Sequence, residues 1–240
     1  MIPISYDMHL HSCLSPCGDD DMTPGNIVGM ASLLQLDAVA LTDHNSAKNC
    51  PAFLKMAEEF GLIAIPGMEL TTSEEVHVLC YFRTLEDALD FDHFIEDKIL
   101  PVPNNPQFFG NQILIDEKDE PCGTFDTLLI SATSISFDRV YDLVKEYHGI
   151  MVPAHLDKSS TSLLSNLGLI PDDSKFRIAE LKNPDNLESL KKQHPYLERC
   201  HILSSSDAHR LDAIREPSRF IHAEEKTADG LFEALLKYER

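Results

Sequence analysis

Six of the eleven histidines in this 240-residue chain stand at or just beyond the ends of apolar, strand-like runs: His9, His11, His44, His77, His155 and His209. One core has little use for six imidazoles at the same end of its strands, so chemistry that employs imidazole is the better explanation. In Tyr6-Asp7-Met8-His9-Leu10-His11 the two histidines lie at i and i+2 of a strand, leave the same face, and can reach one metal ion. The same spacing returns in Asp207-Ala208-His209, after the apolar pair Ile202-Leu203. Thr42-Asp43-His44 follows Val39-Ala40-Leu41. Adjacent strand residues face opposite ways, so His44 is expected to ligate and Asp43 to hold an imidazole or a loop amide. Glu69 follows Ile63-Ala64-Ile65-Pro66 and would be costly to bury there without a cationic partner. His77 opens the run Val78–Phe82 and His155 ends the run Ile150–Ala154. Each taken singly reads as a hydrogen-bonded core histidine; taken together, they read as ligands.

Imidazole mixed with carboxylate suits Zn²⁺, Mn²⁺ or Fe²⁺, and a set of about nine donors exceeds what one ion can use, so two or three divalent ions are expected. Clustered ions activate water as hydroxide, orient a phosphoryl group and stabilise an in-line displacement, which makes phosphoester hydrolysis the reaction that best uses such a site. Glu69 and His155 stand where that chemistry would occur. Arg210 is the first candidate for the cation that grips a phosphate, with Lys158 second, and Asp157 could protonate the leaving alkoxide or be a plain loop carboxylate. No P-loop, dinucleotide fingerprint or Gly-x-Ser-x-Gly elbow suggests another chemistry. A metal-dependent amidohydrolase is the rival enzyme reading, although no Lys ends a central strand. A non-catalytic metal-binding module, its site closed by protein ligands, is the rival from another class. Cys13 and Cys17 lie close beside the first motif, which adds a thiolate ligand as an alternative.

The elements that must position these residues alternate as βα units around a parallel sheet. Strands are predicted at Ser5–Leu10, Ala38–Thr42, Ile63–Pro66, His77–Phe82, Ile150–Ala154, Phe176–Leu181, His201–Ser204 and Arg219–Ala223. Helices are predicted at Pro24–Leu34, capped by Thr23, at Lys48–Phe60, closed by Gly61, and at Leu85–Ile99, Phe137–His148 and Ala228–Tyr238. Prolines and glycines break the rhythm from Leu100 to Thr133, which reads as an inserted loop with a short hairpin near Gln112–Ile115, either a lid or a surface excursion. The length suits one α/β domain.

Asp and Glu total 40 against 20 Lys and Arg, a formal net charge of -20. That balance argues against a polynucleotide partner and for a small phosphorylated substrate bound through cations. No apolar run is long enough to span a bilayer and Met1–Ser5 does not open a signal segment, so a cytoplasmic protein is expected, with its six cysteines reduced.

His9-x-His11, Thr42-Asp43-His44, Gly67-x-Glu69, His77 in a His-Val-Leu run, His155 and Asp207-x-His209 occur in the order found in the PHP (polymerase and histidinol phosphatase) superfamily, which the chain closely resembles along essentially its whole length. The resemblance implies a distorted (β/α)7 TIM-like barrel, one PHP-type domain over residues 1–240, with a trinuclear metal site at the C-terminal ends of its strands. It implies one ion on His9, His11 and Asp207, with Glu69 bridging to a second on His77 and His155. A third would take His44, His209 and a residue of the loop after His11. Where the family usually reads Ser-Asp-Gly, this loop reads Ser15-Pro16-Cys17-Gly18-Asp19-Asp20-Asp21. Counting back from Pro24 selects Asp19, then Asp20.

Overall fold

The computed structural model describes residues 1–239. Its strands are β1 (Ile2–Leu10), β2 (Ala38–Leu41), β3 (Ile63–Thr71), β4 (His77–Tyr81), β5 (Ile113–Ile115), β6 (Pro121–Thr124), β7 (Ile150–Pro153), β8 (Ile178–Glu180), β9 (His201–Leu203) and β10 (Phe220–Ala223). Six of them form one curled sheet in the order β10-β1-β2-β3-β4-β7, and β8 and β9 form a separate parallel pair.

The sheet is mixed, where a parallel one was expected. β1, β2 and β3 are parallel, joined by α1 (Pro24–Leu33) and α2 (Cys50–Phe60). Only residues 72–76 separate β3 from β4, too few for a crossover, so the chain turns back and Thr71 pairs with His77 in an antiparallel hairpin. β7 is antiparallel to β4, and β10 to β1. The hairpin decides where the site can be: it sets the beginning of β4, with His77, beside the ends of β1, β2 and β3. The pair β8 and β9 meets both flanks of the curl. Leu156 N–H donates to the Glu180 carbonyl at 2.9 Å and His11 N–H to the Ala208 carbonyl at 3.0 Å.

Alternation along the strands divides the core in two. Ile4, Tyr6, Met8, Ala38, Ala40, Ile65, Leu79 and Val152 pack with α8 (Ala228–Tyr238), while Leu10, Val39, Leu41, Met68, Val78 and Met151 pack in the larger outer cluster with α1, α2, α3 (Leu85–Glu96) and α5 (Phe137–Glu146). A one-residue bulge between Asp7 and Leu10 re-phases β1, so Leu10 joins the outer cluster while His9 and His11 turn to the concave side. The helices end as their capping chemistry directs. Thr23 accepts from Asn26 N–H at the start of α1, Thr84 from Asp87 N–H at α3, and Gly61 closes α2 with φ of 70°. Three short helices went unanticipated: α4 (Pro106–Phe109), α6 (Leu163–Leu167) and α7 (Leu187–Gln193).

The stretch from 100 to 133 is fastened rather than loose. β5 and β6 pair as a hairpin, and side-chain amides pin it down. Asn45 donates to the Leu129 and Ser131 carbonyls, Asn49 donates to Ile113 and accepts from Ile115, and buried Gln112 bonds Phe125, Thr127 and Leu129. All six cysteines are free thiols.

Candidate metal centre

The histidines of the cluster come from the ends of β1 (His9, His11), β2 (His44) and β7 (His155), the start of β4 (His77) and the loop after β9 (His209), and five of them converge on Glu69. Glu69 Oε1 lies 2.9 Å from His77 Nδ1, 3.0 Å from His155 Nε2 and 3.3 Å from His9 Nε2; its Oε2 lies 3.0 Å from His44 Nδ1 and 3.5 Å from His11 Nε2. Asp207 Oδ1 is 3.4 Å from His9 Nε2 and 3.5 Å from His11 Nε2. The His209 ring stacks on His11 with centroids 4.2 Å apart. All these residues are buried except Asp207 and His209, which are partly exposed at the rim.

Hydrogen bonds on the far side of the His9 and His11 rings fix which of their nitrogens face inward. His9 Nδ1 is 2.9 Å from the buried Glu180 carboxylate, so it carries the proton and Nε2 presents a lone pair. Ser15 donates its hydroxyl to Asp43 at 2.6 Å, so His11 Nδ1, 3.0 Å away, must be the donor to Ser15, and its Nε2 also presents a lone pair. The two Nε2 atoms are 3.1 Å apart. Two lone pairs at that distance repel unless a proton or a cation sits between them. Nδ1 of His44 and of His77 approach Glu69 closely yet are buried with no hydrogen-bond partner among the described residues. These are the signs of ligand atoms arranged around cations, and the donor set of imidazole and carboxylate fits Zn²⁺, Mn²⁺ or Fe²⁺. Three overlapping groups could each hold an ion: His9, His11 and Glu69; His44, Glu69 and His77; His11, His44 and His209.

The electrostatics agree. Burial works against a charge on Glu69, but His77, His9 and His44 outweigh it and hold the carboxyl well below its usual range. Burial likewise opposes charge on His9, yet Glu180, Asp207 and Glu69 raise it well above the ordinary imidazole value. His11 goes the other way, driven well below that value by burial and by His209 and His44. Asp207, despite burial, is held far below the carboxylate range by His9 and His11. The two rings shift in opposite directions because carboxylates dominate the charged surroundings of His9 and imidazoles those of His11. His155 and Asp207 adopt left-handed backbone, with φ of 31° and 56°, a strain of about 1–3 kcal/mol each that persists only where surroundings over-determine it. His155 N–H is held by Glu180 at 3.1 Å, and Ala208 by the bridge to Leu10.

Other anticipated residues lie elsewhere. Asp19 is outside the cluster; its carboxylate is 56% exposed and 3.8 Å from Arg210. Asp20 is also exposed and accepts from Asn111. Arg210 is itself exposed, bonding Asp212 at 2.8 Å. Asp157 spends its carboxylate on the Lys182 and Asn183 amides and the Asn186 side chain. Lys158, by contrast, reaches the cluster, its Nζ 2.9 Å from Asp207 Oδ2. Asp43 holds a loop amide, that of Ser12, at 2.7 Å, together with the Ser12 and Ser15 hydroxyls. Sequence reasoning missed Glu180, which orients His9 and His155 from the end of β8. Its signal was an acid closing an apolar run, Phe176–Leu181, the same signal that picked out Glu69.

Curled sheet and polar ring together define the class, since the fold is that of PHP-like metal-dependent phosphoesterases. It is shared with a two-domain protein of Bacteroides vulgatus containing a predicted PHP-like metal-dependent phosphoesterase, at 17% identity over 99% of this chain and 64% of that one, TM-score 0.61. The PHP domain family matches residues 7–158, and the chain belongs to that family. The fold is also similar to the lesion-specific endonuclease PfuEndoQ of Pyrococcus furiosus, at 20% identity over 98% of this chain and 56% of that one, TM-score 0.67. Endonuclease Q in complex with a 27-mer duplex carrying an abasic lesion matches at 19% identity, over 98% of this chain and 57% of that one, with TM-score 0.68. By sequence, an uncharacterized protein of Methanocaldococcus jannaschii is 32% identical over 76 residues, 28% of this chain and 44% of that protein. The chain thus spans about half the length of these relatives.

These likenesses correct one expectation. The acidic composition argued against a polynucleotide partner, but a protein of this fold binds duplex DNA. Net charge is a sum over the surface, whereas the field at a site is set by the groups and ions gathered there. No helix among the described residues is long and apolar enough to cross a membrane.

Proposed function

We propose that the chain is a phosphoric ester hydrolase working with two or three divalent cations, Zn²⁺, Mn²⁺ or Fe²⁺, held by His9, His11, His44, Glu69, His77, His155, Asp207 and His209. The observation that carries this reading is the convergence of inward-facing imidazole nitrogens on the single buried carboxylate of Glu69, two of them, Nδ1 of His44 and of His77, with no hydrogen-bond partner among the described residues. Bound there, the cations would supply Lewis acidity and an acidified water for in-line displacement at phosphorus. The protein's own groups do the rest. Glu180 and Ser15 keep the protons of His9 and His11 on the outer nitrogens. Lys158, rather than Arg210, grips the phosphoryl oxygens, because it alone of the two stands against the cluster. A cavity of about 540 Å³ lies between Pro16–Asp20, on the loop that follows His11, and Phe108–Asn111 of the 100–133 insertion. In this reading β8 and β9 close the curled six-stranded sheet into a PHP-type barrel, and the described residues work as one unit.

Small phosphorylated metabolites, nucleotides and nucleic-acid strands all present the phosphoester this chemistry needs. The test is a panel of phosphomonoesters, phosphodiesters, nucleotides, end-phosphorylated oligonucleotides and duplexes with an abasic site, each with Mn²⁺, Fe²⁺ or Zn²⁺. Turnover of at least one class, abolished by chelation, is expected. No turnover on any, with metal demonstrably bound, would contradict the proposal.

A further inference from the structure

The cavity beside the insertion shares a wall with the histidine cluster. Ser15 Oγ lies 3.0 Å from His11 Nδ1 and accepts the His44 amide at 3.1 Å, and Asp19 N–H donates to the His209 carbonyl at 3.0 Å. The segment between them, Pro16–Gly18, is thus pinned at both ends to histidines of the cluster, and with Asp19 and Asp20 it lines the cavity. At Gly18 a Cβ would fall 2.4 Å from the Ser12 carbonyl oxygen, so only glycine lets this turn close.

The opposite wall is aromatic. Phe108 and Phe109 end α4 and are 80% and 44% exposed. α4 buries no side chain, so apolar packing does not hold it in place. Polar bonds do: Asn104 donates to the Gly110 carbonyl at 2.9 Å and Asn111 to the Asp20 carboxylate at 2.7 Å. Gly110, at φ of 95°, passes so near Pro16 that a Cβ would fall 2.3 Å from its carbonyl oxygen. Two adjacent phenyl rings are therefore kept out of the core beside a cavity that Pro16 and Ile130 complete with apolar surface. Among the described residues that line it there is no lysine or arginine, while Asp19 and Asp20 supply carboxylates. Carboxylates repel a phosphate but accept N–H groups, and phenyl faces stack flat rings.

We propose that this cavity binds the base of a nucleotide whose phosphoester is presented to the histidine cluster, with Phe108 and Phe109 stacking on the ring and Asp19 and Asp20 accepting from its N–H edge. This rests on the hydrolase reading given above and narrows its substrate to phosphoesters that carry a nucleobase. A mononucleotide and the end of a nucleic-acid strand offer the same ring.

The chain has no tryptophan, so Phe108→Trp installs a single reporter ring in the full-length protein. Titration with a nucleoside 5′-monophosphate should quench its fluorescence and ribose 5-phosphate should not; Phe220→Trp, on β10 and outside the cavity, should respond to neither. In turnover, the double variant Phe108→Ala/Phe109→Ala should raise KM for the nucleotide roughly 10-fold or more, as loss of base stacking requires, with kcat unchanged. A 5′-phosphorylated oligonucleotide distinguishes the two sources: quenching by it places a strand in the cavity, and quenching by the mononucleotide alone places a free nucleotide there. Fluorescence of Phe108→Trp that neither nucleotide nor oligonucleotide moves overturns the assignment, as does wild-type protein that turns over ribose 5-phosphate as well as the nucleotide. Quenching without hydrolysis of any phosphoester would uphold the base site and sink the hydrolase reading alone.

Discussion

Two imidazole nitrogens 3.1 Å apart, each with its proton held on the opposite side of the ring, form a pair whose repulsion only a cation or a shared proton relieves. Glu180 and Ser15 create that arrangement, which makes them positioning residues whose value lies in the metal they prepare for. Glu180→Gln can still accept from His155 N–H but no longer holds His9 with a charge. It should weaken metal binding or turnover about 10–100-fold, the range for residues that orient ligands, read by metal titration on the chelated protein. Unchanged affinity would mean His9 needs no orientation. His9→Ala and Asp207→Ala should abolish turnover and loosen metal, while His93→Ala, on the exposed face of α3, should do neither. Equal losses in all three variants would point to general destabilisation instead.

At the scale of elements, Asp37 ties the start of β2 to β1. Its carboxylate accepts the Ser5 amide and hydroxyl at 2.9 Å and pairs with Lys226. Burial opposes its charge, but the Lys226 and Ser5 bonds hold the carboxyl below its usual value. A carboxyl depressed by folding stabilises the protein above its unfolded pKa of about 4 and loses that contribution as pH falls through the lower folded value. Asp37→Asn should therefore cost about 1 kcal/mol at pH 7, little because solvent reaches the group, and the gap in Tm from wild type should narrow below about pH 4. A gap independent of pH would refute the clamp. The periodic elements were legible because apolar alternation and caps such as Thr23 and Gly61 act locally. The parallel sheet was misjudged at β4 and at β10: the five residues between β3 and β4 forbid a crossover, which loop length alone could have shown, and β10 runs antiparallel to β1. His9 and His11 share the concave face only because of a bulge, which leaves no mark in a period-two pattern. α7 escaped notice because it buries no residue, so it has no apolar stripe to read. Counting along the chain selected Asp19, but successive turns through Gly18 carry its carboxylate to within 3.8 Å of Arg210, a displacement that spacing in sequence does not record.

For the molecule as a whole, a net charge of -20 coexists with a buried cluster of imidazoles and carboxylates that could hold metal ions, and a protein of this fold, Endonuclease Q, binds duplex DNA. If cations bind the folded state alone, removing them should lower Tm. One site held at 100 times its dissociation constant contributes about 2.7 kcal/mol, so chelated protein should melt several degrees lower and recover on adding Zn²⁺ or Mn²⁺; coincident melts would argue against specific loading. The proposed hydrolase depends most on imidazoles and acids from separate strands enclosing cations. Anomalous diffraction at the zinc, iron and manganese edges from the reconstituted protein tests this directly. Two or three peaks are predicted, centred among His9, His11, His44, Glu69, His77, His155, Asp207 and His209. Maps with no peak there, from protein reconstituted with metal, would contradict it.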